Sequence, residues 1–199
     1  MNIEAAEKYI LNRLENELPK NLFYHGLHHT LDVAEKVIQI AKNEQVTSKS
    51  DLDLLKTAAL FHDVGFIYIY QGHEEEGCRI AMDILPQFEY SPKQIEQICK
   101  MIRATKVPQK PSNQLSKILC DADLDYLGRA DYEPIAETLF QELQTIGVKF
   151  DHELWCKKQI EFLENHQYWT HSQQQLREPH KKKQIERLLT EIKKYASNK

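Results

Sequence analysis

Apolar residues recur at three- and four-residue spacing almost throughout the chain, and strictly alternating runs are few. That pattern predicts an all-α protein with no strand. The first predicted helix, about residues 3–18, carries Ile10, Leu11, Leu14 and Leu18 on one face and ends at Pro19. The second, about 27–43, turns Leu31, Ala34, Val37, Ile38 and Ala41 inward. A central helix over about 51–64 is apolar through Leu54, Leu55, Ala58, Ala59, Leu60 and Phe61, with Ser50 as its cap, acids in its first turn and Gly65 as its stop. Further helices are predicted over about 73–85, 92–105, 114–127, 132–146, 152–165 and 178–195. Prolines at 108 and 111 deny helix hydrogen bonds and predict a loop over 106–113, and Tyr168-Trp169 predicts an aromatic turn.

The chain has 199 residues, 41% of them hydrophobic and 28% charged, which suits a single domain over 1–199. No basic segment followed by an apolar run opens it, and no stretch approaches the ~20 apolar residues of a membrane span, so a cytoplasmic protein with no membrane partner is expected. Cys78, Cys99, Cys120 and Cys156 form no CxxC pair and read as reduced core residues. A net charge of −4 argues against nucleic acid as a partner and favours a small-molecule substrate. The run Lys181-Lys182-Lys183 reads as a solvated helix face.

The candidate chemistry begins where the central helix ends, at His62-Asp63. An imidazole and a carboxylate beside a buried apolar run must be satisfied, and a divalent cation satisfies both. Tyr24-His25-Gly26-Leu27-His28-His29-Thr30 places His25 and His29 four residues apart at a helix entrance, so that either faces a metal if the helix starts there. Cys120-Asp121-Ala122-Asp123-Leu124-Asp125 alternates three acids in an apolar segment, with Asp123 among Leu119, Leu124 and Leu127.

In order and context these motifs (Tyr-His-x3-His-Thr, His-Asp after an apolar helix, Asp-Ala-Asp-Leu before Leu-Gly) resemble the HD superfamily of metal-dependent phosphohydrolases. The segments His73 to Glu76, Ile102 to Lys106, Asp121 to Gly128 and Tyr168 to Thr170 further resemble a bacterial group of predicted HD phosphohydrolases, over roughly residues 20–190. The resemblance implies an HD-domain helical bundle: a five-helix core over about 20–130 and a C-terminal helical extension over about 131–199. It implies the metal ligands His29, His62, Asp63 and Asp123, with Asp121 the alternative for the last, and His25 as the group that protonates the leaving oxygen. Two-metal relatives use histidines where this chain has Ala104-Thr105, so one divalent metal per chain (Mn, Mg, Fe, Co, Ni or Zn) is expected, with His73 and one of Glu74 to Glu76 available to a second.

The expected activity is hydrolysis, by metal-activated water, of a phosphate ester or anhydride of a small molecule, a nucleotide first among them. Monoester and diester substrates both stay open. Asp63 orients the water, and Glu74 and Glu75 either position water or form a solvated first helical turn. Arg103 and Lys106 are the expected phosphate contacts, with Arg79 a further cation, and Tyr126 a sugar contact or a core residue. His28 is expected outside the ligand set; His152, His166, His171 and His180 at the surface; Trp155, Phe162, Tyr168 and Trp169 in packing. The apolar C-terminal helices form a homodimer interface or complete the core. The competing function is a regulatory module that keeps the metal and nucleotide pocket without turnover; an oxygenase with two irons needs more histidines and acids than the chain places.

Overall fold

Helix α1 (Ile3–Glu17) opens on Asn2, whose Oδ1 accepts the Ala5 N–H at 3.2 Å, and it buries Ala6, Ile10 and Leu14. The computed structural model describes residues 1–197, and no strand occurs among them. The chain falls into two compact units, Met1–Asp123 and the remainder from Leu124. The first unit continues with α2 (Leu27–Asn43), α3 (Lys49–Phe61), α4 (His73–Ile84), α5 (Pro92–Thr105) and α6 (Gln114–Asp123). Helix α3 is its axis: Leu54, Leu55, Ala58, Ala59, Leu60 and Phe61 are all buried, and α1, α2, α5 and α6 pack around it. A helix apolar on most of its circumference has nowhere to go but the centre.

Three expectations for this unit need correction. Ser48, not Ser50, caps α3 by accepting the Asp51 N–H at 3.3 Å, so the helix starts earlier. It also ends earlier, at Phe61, and Gly65 lies beyond it in a 3-10 turn, Val64–Ile67. In α2, Leu31 and Ile38 are exposed, at 45% and 37%, while Thr30, Val33, Val37 and Ile40 face the core. Leu31 and Ile38 sit roughly 60° around the helix from Ala34 and Ala41, at the rim of the apolar stripe. The inward face is instead the one that also buries His29.

Gly65 is required by close approach. A Cβ there would lie 2.0 Å from the carbonyl oxygen of His73, and one at Gly77 would lie 3.1 Å from that of Phe61. These two contacts bring the start of α4 against the end of α3. Helix α5 begins with a full capping box, Ser91 and Gln94 bonding reciprocally.

The second unit holds α7 (Tyr132–Thr145), α8 (His152–Asn165), α9 (His171–Leu176) and α10 (Glu178–Ser197). The helix predicted to run on to 127 ends at Asp123, and Asp125–Gly128 is a separate 3-10 turn. The fully buried Asp125 carboxylate accepts from Arg177 at 2.7 and 3.0 Å and from Gln173 at 2.8 Å, which ties this turn to α9 and its end. Helix α9 was not predicted. Lys182 and Lys183 are exposed, but Lys181 is 2% exposed: its ammonium donates to the His166 carbonyl and lies 3.1 Å from Glu178. His166 is half-buried with its ring 4.7 Å from that of Tyr168, whereas His152, His171 and His180 are exposed. Trp155 and Tyr168 are buried, and all four cysteines are buried and free. No helix among the described residues is long and apolar enough to cross a membrane.

Candidate metal centre

Gly26 is the extended N-cap of α2, which sets His25 just outside the helix and His29 in its first turn. His29 is buried, with its ring 4.8 Å from that of the buried Tyr24. His62 follows the last residue of α3 and is fully buried. Its Nδ1 lies 2.7 Å from the Ala59 carbonyl, an acceptor only, so Nδ1 carries the hydrogen and Nε2 is left facing the site. Asp63 leaves helical geometry in the turn that follows. Asp123 is the last residue of α6.

These four side chains converge within the first unit. His62 Nε2 lies 3.3 Å from His29 Nε2, 3.1 Å from Asp63 Oδ2 and 3.6 Å from Asp123 Oδ1. His29 Nε2 lies 3.4 Å from Asp63 Oδ2 and 3.2 Å from Asp123 Oδ1. One donor atom each from His29, His62 and Asp123 falls within 4.8 Å of the other two. Burial alone pushes the His62 imidazole down, but the Asp63 and Asp123 carboxylates outweigh it and hold it well above its ordinary value. Burial likewise pushes both carboxyls up, and the imidazoles reverse the effect: Asp63 is held far below the usual carboxylate range and Asp123 at about 2.

The donor set fits a divalent cation. Two imidazoles and two carboxylates suit Zn, Mn, Fe, Co or Ni. Asp63 Oδ2 is buried without a hydrogen-bond partner although two imidazole nitrogens lie 3.1 and 3.4 Å from it, and a buried anionic oxygen left that way is expensive unless a cation engages it. Asp121, the other candidate, is fully buried two positions earlier on the same helix, about 200° around from Asp123, and is not in the group of donors.

The remaining predicted residues divide. His25 is half-buried beside the centre, its ring 6.0 Å from that of His29 and stacked at 4.3 Å on Phe66. Glu74 is buried, with Oε1 3.7 Å from His73 Nε2, so the solvated alternative fails for it. Glu75 is exposed and binds Arg103 at 2.8 and 3.0 Å; Arg79 is engaged by Glu76. Lys106 is exposed at the end of α5. Tyr126 is buried in the second unit with its ring parallel to that of Tyr132, a packing position. His28 is exposed. Sequence reasoning missed Phe66, which stacks on both His25 and His73, and the Ala59 carbonyl that sets the His62 tautomer. Phe66 had a signal, an aromatic three residues past the His-Asp pair.

The fold and the centre together define an HD domain. A family model described as HD domain matches residues 26–125, about half of the chain, and the chain belongs to that family. A solved structure of a predicted HD superfamily hydrolase from an uncultured Thermotogales bacterium is similar at 21% identity and a TM-score of 0.57, over 96% of this chain and 91% of that one, and shares its fold. Comparison with curated proteins finds no match.

Proposed function

We propose that the chain is a metal-dependent phosphohydrolase acting on a small phosphorylated molecule, with nucleotides the first class to test. The carrying observation is the convergence of His29, His62, Asp63 and Asp123, with Asp63 Oδ2 buried and unbonded among them. These four residues hold one divalent cation. Such a cation supplies Lewis acidity toward a phosphoryl oxygen and lowers the pKa of water from ~15.7 toward ~7.

The protein supplies the rest. The Ala59 carbonyl fixes His62 in the ligating tautomer, and Asp63 orients the attacking water. His25, held by its stack on Phe66, gives a proton to the leaving oxygen as the phosphorus–oxygen bond breaks, so that an alcohol rather than an alkoxide departs. Arg103 and Lys106 meet phosphate charge; because Arg103 is engaged by Glu75, the phosphate competes with that carboxylate for it. Release of phosphate or nucleoside from a nucleotide panel, with Mn, Co, Mg or Ni added, tests the reading. Turnover lost in His62→Ala supports it. Tight nucleotide binding without turnover under every metal would identify a regulatory module instead.

A further inference from the structure

Helices α4 and α5 pack side by side and antiparallel, and two residue pairs mark their register. Glu75 accepts from Arg103 at 2.8 and 3.0 Å. One turn further along, Cys78 Sγ lies 3.4 Å from the Cys99 carbonyl oxygen, and Cys99 Sγ lies 3.7 Å from that of Cys78. Residues whose sulfurs each touch the other's backbone face each other directly, and these two thiols are within hydrogen-bonding reach. A disulfide asks for Cα atoms roughly 4.4–6.8 Å apart, a separation of the size that such reciprocal contacts impose. The sulfurs then bond by side-chain rotation, with the helices kept in register.

The two thiols are unequal. A hydrogen bond from Cys78 draws Cys99 below its ordinary value against the opposing effect of burial, and the Arg103 guanidinium one turn away adds to it. The same pairing, with burial behind it, pushes Cys78 up. A thiolate beside a thiol is the arrangement that oxidation to a disulfide uses, since the thiolate is the nucleophile. The other two cysteines differ. Cys120 donates to the Ala104 carbonyl at 3.1 Å, and burial pushes its thiol and that of Cys156 up.

We propose that Cys78 and Cys99 form a modification site, at which a peroxide converts them into a disulfide joining α4 to α5. The Cys99 thiolate attacks one peroxide oxygen, the O–O bond breaks, and a sulfenic acid and hydroxide form; the hydroxide takes the proton that Cys99 gave up and leaves as water. The Cys78 sulfur then attacks the Cys99 sulfur, the S–O bond breaks, and that oxygen leaves as a second water with the Cys78 proton. Two thiols lose two electrons and the peroxide gains them. Both residues are buried, so peroxide reaches Cys99 only when the helices part, and the adjacent Cys78 resolves the sulfenic acid before a second peroxide arrives. The bond fastens α4, whose first turn meets the His62-Asp63 turn at Gly65, to α5. It forms whether or not the chain hydrolyses a phosphate ester.

The test is hydrogen peroxide treatment of the full chain in its native state, then alkylation of the remaining thiols in denaturant, peptide mapping without reductant, and a thermal scan. The expected result is one cross-link, between the peptides that carry Cys78 and Cys99, with Cys120 and Cys156 alkylated. Tm is expected to rise by about 4–12 °C and to return when dithiothreitol reduces the bond. Cys78→Ser and Cys99→Ser each remove the cross-link and the rise, whereas Cys156→Ser keeps both; circular dichroism verifies that the variants are folded. Where a serine variant fails to fold, the cross-link map and Tm of the unaltered chain decide the matter. No cross-link after peroxide, a cross-link through Cys120 or Cys156 instead, or a Tm that falls as the bond forms would overturn the proposal.

Discussion

The Nε2 atoms of His29, in the first turn of α2, and His62, just past the end of α3, stand 3.3 Å apart, with Asp63 and Asp123 oxygens within 3.6 Å of His62 Nε2. Two imidazole nitrogens at that spacing share a proton or share a cation. In the protein without a cation, the raised His62 and the depressed Asp63 and Asp123 describe the first case. The proton on His62 Nε2 is what a metal would displace, since both claim the same lone pair.

His25 stands beside the centre, its ring 6.0 Å from that of His29, and is not one of the four ligands, so its removal separates proton transfer from cation binding. His25→Ala is expected to lower kcat by about 10²–10⁴ on an alkyl phosphate ester. On a p-nitrophenyl ester, whose leaving oxygen needs no proton, the loss is expected to be under roughly tenfold. Steady-state rates on the two esters, with metal content unchanged, check this. Equal losses on both would assign His25 to binding.

Asp123 and Asp121 lie on opposite sides of α6 and should respond differently. Asp123→Asn is expected to lower metal affinity by about 10–100-fold or more, as for loss of a partner in a metal site. Asp121→Asn keeps the metal and loses about 1–3 kcal/mol of stability, the scale of a disturbed buried polar group. Metal retention on a desalting column and urea unfolding of the two variants give both numbers.

Much of this was legible in the sequence, and the failures are physical. The bounds of α2, α5 and α8 agree with the helical periodicity, and for the last two Ser91 with Pro92 and Asp151 mark the starts. Periodicity mistook the register of α2 because Leu31 and Ile38 are apolar at the edge of the stripe, and only packing says where the edge falls. The six residues of α9 are too short to show a period. Lys181 reads as surface in any charge run, and its burial follows from a backbone carbonyl at His166 that sequence does not place. The convergence of the HD motifs was legible through the family resemblance, whereas the burial of Glu74 beside exposed Glu75 depends on how α4 meets the His62-Asp63 turn.

That meeting depends on Gly65. Gly65→Ala sets a Cβ 2.0 Å from the His73 carbonyl oxygen, a backbone atom that cannot swing away. Overpacking of this kind costs about 1–3 kcal/mol or more. The expected Tm decrease is about 2–12 °C, measured by thermal circular dichroism, and weakened metal binding is expected with it because His73 and Asp63 are displaced together. An unchanged Tm would mean that the two segments separate readily.

Cation removal should be felt by the fold, since the ligands come from the first turn of α2, the end of α3 and the end of α6. A ligand at 100 times its Kd stabilises by about 2.7 kcal/mol. Chelation is therefore expected to lower Tm by about 5–11 °C, restored by adding back Mn or Zn. Asp123→Asn, which lacks a ligand, should show little of this shift in a parallel thermal scan.

The most direct test is elemental analysis of the protein purified without chelator, beside His29→Ala and His62→Ala. The unaltered protein is expected to hold at least one divalent metal per chain, and each variant less than a tenth of that. Protein that stays free of metal under every loading condition, or variants that retain it in full, would contradict the assignment of His29, His62, Asp63 and Asp123 as a metal centre.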